Sequence, residues 1–306
     1  LMYRICTLLI LCNAVLCHAS QFLGPPVRFF EAKVKKMEFV SRWMKEITFE
    51  YPEKSHLHLF PGAYLRVHVP PYVVNTAEWE DSVPERFRAK WYEMGLFNQI
   101  VDYSNIGSDV SRPYSITNFS SRDHDIRLLV KIVKPNTVLK GWGMASSYLF
   151  SLRPGDMARF SGTFGHYPVL QREKPLIFII GGCGIAPAKS LIDYYLLEMK
   201  SEAPILLFYS ASELDEAVFH EHFLELLEEH DNFYFQRYLT HETGEYDCEC
   251  IQSGDMIEML ADQLIEQIDD IQEGIFHVCG TKDSSQKVID VLKGLDVDEK
   301  RIIMDS

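Results

Sequence analysis

From about Val27 to Val69 apolar and polar positions alternate in short runs, as in Ile47-Thr48-Phe49 and Tyr64-Leu65-Arg66-Val67-His68-Val69, with Pro61-Gly62 between them. Period-two runs with turn punctuation predict antiparallel strands of a barrel. Pro70-Pro71 ends the last of these runs. Residues 72–110 then form a polar, aromatic-rich excursion, from Ala77-Glu78-Trp79-Glu80 to Arg86-Phe87-Arg88-Ala89-Lys90-Trp91. A connection this long in a compact domain is usually functional or disordered. Strand signals return over Ser111–Thr117 and Ile126–Val133, a short helix is predicted over Ala145–Leu152, a further strand over Asp156–Ser161, and the barrel closes near Gly165.

After Lys174 the texture changes. Pro175-Leu176-Ile177-Phe178-Ile179-Ile180 is apolar without alternation, as a parallel strand covered on both faces requires, and it runs into Gly181-Gly182-Cys183-Gly184. A helical pattern follows over Pro187–Met199, then a strand over Ile205–Tyr209, a helix over Glu216–Glu229 and a strand over Asn232–Tyr238. Gly274–Gly280 is strand then glycine turn, with a helix over Ser284–Leu295. Strand and helix in alternation predict a doubly wound α/β sheet. The chain is therefore read as two-domain, an antiparallel β-barrel over 25–170 followed by an α/β doubly wound parallel sheet over 171–306, with no internal repeat and with residues 1–24 as a hydrophobic leader or anchor.

The 306 residues, 47% of them hydrophobic, suffice for two buried cores and exclude a disordered chain. A formal charge of -14 without any Lys/Arg-rich block excludes the phosphate-neutralising surface that nucleic acid needs. Acidic residues concentrate in the last third, where Glu213, Asp215 and Glu216, then Glu228, Glu229 and Asp231, read as solvated helix faces, with an acidic docking patch as the other reading. Cys6, Cys12 and Cys17 lie in the apolar start, and Cys183, Cys248, Cys250 and Cys279 are scattered. No CxxC pair occurs, so neither a disulfide framework nor a metal centre is expected, and a reducing compartment fits. Arg4, the apolar stretch Ile5–Cys17 and Ala19-Ser20 together look like a signal peptide, too short to span a bilayer comfortably. Residues 1–20 are thus an uncleaved anchor, the remnant of a longer region or an export signal, and opening on Leu1 fits a trimmed or fragmentary start.

Four constellations carry chemistry. The turn GGCGIAP, comprising Gly181, Gly182, Cys183, Gly184, Ile185, Ala186 and Pro187, ends a buried strand where backbone must approach a dinucleotide pyrophosphate at a helix N-terminus; a simple tight turn is the alternative. Arg112, Pro113, Tyr114 and Ser115 open a strand, where a guanidinium can clamp a pyrophosphate, a ring can lie on an isoalloxazine and a hydroxyl can bond the flavin N5. The same tetrad also reads as an ordinary strand with an exposed arginine. Gly143, Met144, Ala145, Ser146, Ser147 and Tyr148 turn into a helix whose first N–H groups can bind phosphate oxygens, or else hold a plain serine N-cap. Cys279-Gly280 ends a strand, where a buried cysteine is either packing or chemistry.

The order RPYS, GMASSY, GTFG (Gly162 to Gly165), GGCGIAP and CG resembles the ferredoxin–NADP reductase superfamily over residues 28–304. The resemblance implies an FAD-binding barrel and an NAD-binding α/β domain, with FAD and NADH as cofactors. Arg112, Pro113, Tyr114 and Ser115 would be the flavin motif, Lys131 a second flavin contact, Gly143 to Ser147 the flavin pyrophosphate loop, and Gly162 and Thr163 part of the same cofactor-binding set. Gly181, Gly182, Gly184, Ile185, Ala186, Pro187 and Ser210 would hold NADH, Cys279-Gly280 would stand beside the nicotinamide, and Ser115 and Cys279 would be catalytic.

The stretch PPYVVNTAEWEDSVPERFRAKWYEMGLF (Pro70 to Phe97), with GMASSYLFSL and the ending VDEKRIIMDS, is similar to the F subunit of the Na⁺-translocating NADH:quinone reductase. That likeness implies a quinone, or a separate iron–sulfur or membrane partner subunit, as electron acceptor. It also implies membrane association through residues 1–20 with the folded domains in the cytoplasm, or a soluble cytoplasmic protein. The F subunit carries an anchor and a [2Fe–2S] domain before its reductase part, for which residues 1–24 are too few. The family's CGPP is here Cys279-Gly280-Thr281-Lys282, and its terminal aromatic over the flavin is missing after Ser306. Ser212, Glu213 and Asp215 stand where basic residues would meet a 2′-phosphate, so NADH is expected over NADPH. A stand-alone ferredoxin, oxygenase or quinone reductase and a degenerate flavin-binding protein without turnover are the alternatives.

Overall fold

The computed structural model describes residues 28–52, 57, 59–107, 110–118, 125–136, 141–165, 173–244, 246 and 248–304. The leader reading of residues 1–24 lies outside them. In the first half, β1 (Arg28–Ser41), β2 (Met44–Glu50), β3 (Tyr64–His68), β6 (Ser111–Ser115), β7 (Asp125–Lys131) and β8 (Met157–Phe164) form one antiparallel sheet in the order β6-β3-β8-β1-β2-β7. A bridge between Ile116 and Leu128, and the bond from Thr117 N to Arg127 O at 2.9 Å, join its two edges and close the barrel. Closure removes the unpaired backbone that open edges would expose. Alternate residues such as Ala32, Val34, Ile47, Phe49, Leu65 and Val67 fill the interior, as the period-two pattern required.

The excursion has regular structure over its described residues. It folds as a ribbon of β4 (Val73–Asn75) and β5 (Ile100–Asp102) around a 3-10 turn over Thr76–Ser82 and α1 (Glu85–Glu93). Trp79, Phe87, Trp91 and Phe97 anchor it in the barrel core, and Trp91 Nε1 donates to Arg42 O at 3.1 Å. Helix α2 (Met144–Ser151) then packs beside β7.

The second half is a parallel sheet of β9 (Leu176–Gly181), β10 (Ile205–Ala211), β11 (Phe233–Leu239), β12 (Ile251–Ser253), β13 (Ile275–Cys279) and β14 (Ile302–Met304) in the order β12-β11-β10-β9-β13-β14. Helices α3 (Ile185–Asp193, continued by a π turn to Glu198) and α4 (His220–Glu229) pack with one apolar cluster of the sheet, α5 (Met256–Gln267) and α6 (Lys282–Gly294) with another. The doubly wound expectation holds. The sheet's strand order reverses between β9 and β13, and at such a switch point the loops leaving the carboxyl ends of the strands diverge and leave a crevice.

The two halves share a core and a charged seam. Met44 and Leu129 of the barrel are buried in the α/β cluster, and Gly62 N donates to Ser190 Oγ at 2.9 Å. Arg42, in the β1–β2 turn, pairs with Glu213 at 3.0 Å and Asp215 at 2.6 Å, and Lys131 lies 3.6 Å from Glu216. The solvated-helix reading of Glu213, Asp215 and Glu216 is therefore corrected: they precede α4 and face cations of the other domain. Against the expectation of no disulfide framework, one bridge occurs among the described residues, Cys248–Cys250, whose one-residue spacing leaves the Cα atoms 5.1 Å apart, inside bonding range. No helix of the described residues is long and apolar enough to cross a membrane, and no metal-ligand cluster occurs among them.

Candidate functional site

Two cavities meet at the domain junction. The first, about 840 Å³, is lined from the barrel side by Arg112, Pro113, Tyr114, Ser115 and Gly143 to Ser146, and from the α/β side by Cys183, Gly184, Ala186, Pro187 and Cys279. Its size falls in the range of cofactor pockets. The second, about 600 Å³, lies over the switch point, lined by Gly181, Gly182, Ser210 and Gly280 together with the starts of α5 and α6. Lys131, Cys183, Gly184 and Cys279 line both, so a group in either cavity borders the same two thiols and one ammonium.

The barrel-side motif lies on β6, at the strand edge where the barrel closes. Arg112 Nη1 donates to Ser111 O at 2.9 Å and the rest of the guanidinium is exposed to the cavity side. Burial pushes the Tyr114 hydroxyl well above the usual phenol range, and Cys183 and Arg112 are near enough to act on it. The two motifs that sequence places on separate domains thus converge.

Helix α2 points its N-terminus into the first cavity. Its N-cap is Gly143, without a side-chain cap, so the first N–H groups are left for a ligand. A Cβ on Gly143 would meet Val133 Cβ at 2.5 Å and Ser146 Oγ at 2.7 Å, and only glycine allows the loop this close. The serine N-cap reading fails: Ser146 Oγ donates to Gly143 O at 3.0 Å and Ser147 Oγ does so at 2.7 Å, both turned back into the helix. Ser147 is fully buried against the Tyr72 hydroxyl at 2.6 Å and lines neither cavity. Gly162 and Thr163, on β8 beside Leu65 and Phe164, line neither, and Ile185 is core.

On the α/β side of the first cavity, Gly184 is closely packed. A Cβ there would meet Cys279 Sγ at 2.5 Å and Cys279 Cβ at 2.9 Å, so the glycine turn and the β13 thiol are packed as one surface. Cys183 and Cys279 are in no disulfide, and Cys183 is exposed. The α5 and α6 N-termini also face the second cavity, capped by Asp255 accepting from Ile257 N at 2.9 Å and Thr281 accepting from Ser284 N at 3.2 Å. Glu213 and Asp215 do not line it, because Arg42 draws them to the seam; Ser212, Glu216, Asp255 and Asp283 do, beside Lys131 and Lys287. Of the three residues expected to face the ribose, only Ser212 lines this cavity, whose charged lining is mixed.

Sequence reasoning gave Cys183 only as a member of the glycine turn, with no role of its own, and missed Lys134. The Lys134 ammonium sits 3.1 Å from the Trp43 ring centroid and lines the first cavity; burial pushes it down to about 8. Its only local signal was its place three residues after Lys131 at a strand end.

Residues 91–168 match the oxidoreductase FAD-binding domain and residues 178–287 the oxidoreductase NAD-binding domain. The F subunit of the Na⁺-translocating NADH-quinone reductase of Chlamydia trachomatis serovar A is 26% identical over 289 residues, covering 90% of this chain and 67% of that protein. Its namesake from Idiomarina loihiensis is 28% identical over 281 residues, covering 91% and 67%. Among solved structures, the CS-b5R domains of human Ncb5or in the NAD⁺ form superpose with a TM-score of 0.70 at 14% identity, over 94% of this chain and 71% of that one. A ferredoxin NADP⁺ reductase from Neisseria gonorrhoeae with bound FAD and NADP gives 0.63 at 17% identity, over 90% and 98%. These structural likenesses show the ferredoxin reductase fold.

Proposed function

We propose that this chain, an FAD- and NAD-binding flavoprotein oxidoreductase with the ferredoxin reductase fold, carries electrons from NADH through its flavin to a quinone or to a separate iron–sulfur or membrane partner. The observation that carries the reading is the sharing of Cys183, Gly184, Cys279 and Lys131 between the two cavities, since transfer needs both ring systems at one border. FAD, when bound, supplies a ring that takes hydride from reduced nicotinamide and releases electrons singly or in pairs.

The chain's own residues supply binding and alignment. Arg112 and the α2 N-terminus, capped only by Gly143, offer charge and N–H donors for the flavin pyrophosphate. Tyr114 gives a ring face, and Ser115 Oγ a hydroxyl, toward the isoalloxazine. Lys131 adds positive charge at the border, and Cys279, wedged against Gly184, fixes where the nicotinamide can rest. The start of α6 and the turn Gly181–Gly184 take the NADH phosphates.

The relatives' name, a subunit of a Na⁺-translocating NADH-quinone reductase, makes a membrane partner the favoured acceptor, with the folded domains on the cytoplasmic side where NADH is found. Purified protein reconstituted with FAD should be yellow and bleach on adding NADH, with NADH preferred over NADPH in kcat/KM. Protein that binds no FAD would end the reading. Rapid reduction of added quinone would mark a self-sufficient reductase, and turnover only with a membrane fraction would mark one component of a larger complex.

A further inference from the structure

The excursion over residues 72–110 builds a third cavity. Its 3-10 turn, with β1, β2 and the C-terminal end of α2, borders this cavity of about 220 Å³. None of its lining residues lines the two cavities at the domain junction. Phe39, Val74, Trp79, Phe150 and Leu152 make its walls apolar, and Lys45 supplies a buried charge.

Lys45 is 4% exposed. Its Nζ donates to Phe150 O at 3.3 Å and lies 4.7 Å from the Phe39 ring centroid and 4.8 Å from that of Phe150. No charged group among the described residues acts on it: burial alone pushes it down to about 8, so it stays cationic at neutral pH. Capping the carbonyls of the last α2 turn accounts for one of its three N–H donors, and at a distance long for a charge-assisted bond. One carbonyl and two ring faces hold the ammonium, and no carboxylate among the described residues pairs with it, which is the partner that usually makes such burial tolerable. At the rim Arg153 pairs with Glu78 at 3.0 Å, so the lining carries two cations against one anion in a chain of net charge -14.

We propose that this cavity binds a small organic anion with an apolar or aromatic body, its carboxylate on Lys45 Nζ and its body against Trp79 and Phe150. The site lies at the opposite end of α2 from the flavin cavity, so the same helix borders both. The proposal is independent of the electron acceptor.

Benzoate is the probe, titrated calorimetrically into FAD-loaded protein with excess NAD⁺ to fill the other two cavities, with benzyl alcohol as its neutral counterpart. One benzoate should bind per chain, about tenfold or more tighter than benzyl alcohol, as one charge-assisted bond implies. Lys45→Gln should lose about tenfold, and Lys45→Arg should retain most of the affinity. Val74→Trp, which fills the cavity and leaves Lys45 in place, should abolish binding, and it decides the matter if Lys45→Gln does not fold. Absence of benzoate binding, equal affinity for benzyl alcohol, or benzoate binding undiminished in Lys45→Gln or Val74→Trp overturns the proposal and leaves Lys45 a helix cap.

Discussion

Gly184→Ala is the sharpest perturbation of the domain junction. The added methyl would stand 2.5 Å from Cys279 Sγ and 2.9 Å from Cys279 Cβ, where carbon contacts settle at about 3.5–4.0 Å. Either the glycine turn or the end of β13 must retreat by about 1 Å, and both border the place where the two rings must meet. A misplacement of that size costs on the order of 100-fold in rate, about 2.7 kcal/mol of transition-state stabilisation. Stability should fall by less, about 1–3 kcal/mol, since overpacking is relieved by a local shift. Stopped-flow bleaching of the flavin by NADH measures the rate, FAD titration the flavin affinity, and thermal melting the stability. Flavin affinity should change little, because the turn only borders the larger cavity, and Gly184→Ala combined with Cys279→Ala should recover part of the stability by removing the closest contact. Flavin reduction within about twofold of the parent in the single variant would refute the packing argument.

Arg42→Ala removes two partners at the seam and should cost about 1–2 kcal/mol, less at high salt, seen as an earlier melting transition; an unchanged transition would mean that the shared core and the remaining seam contacts hold the domains without Arg42. Asp193 bonds His222 at 2.6 Å and Lys189 at 2.7 Å; burial pushes its carboxyl up, but these partners outweigh it and hold it below the usual range. A carboxyl depressed by folding adds stability that is present above the unfolded value of about 3.9 and lost as pH falls through the folded one, so Asp193→Asn should flatten the acid limb of a stability–pH curve. Cys183, exposed and bordering both cavities, should react with a maleimide faster than Cys279, and FAD should slow it by about tenfold; labelling indifferent to FAD would place the flavin elsewhere.

Much of the fold was legible because it is written in short-range pattern. Alternation over Tyr64–Val69 requires one face inward, and the unbroken apolar run Leu176–Ile180 requires cover on both faces; each fixes an element type without reference to the rest of the chain. The glycine turns were legible for a similar reason, since Gly184 and Gly143 stand where no Cβ fits. The serines of GMASSY misled because a hydroxyl next to a helix start can face a ligand or turn back to Gly143 O, and the sequence does not say which. Glu213 and Asp215 misled because their partner, Arg42, is far away in the chain.

What the sequence determined by itself was the barrel strands, the central strand–helix units of the second half and the glycine turns, because secondary-structure period and backbone sterics act over a few residues; the helix Met256–Gln267, the edge strands Ile251–Ser253 and Ile302–Met304 and the elements within the excursion were not read from it. What only the tertiary structure decided was which distant elements meet: that β6 and the β9 turn share a cavity, that Cys183 and Cys279 border both junction cavities, and that the excursion borders a cavity beside Lys45. Those contacts come from packing two cores against each other, and packing depends on the shapes of whole surfaces rather than on any local run of residues.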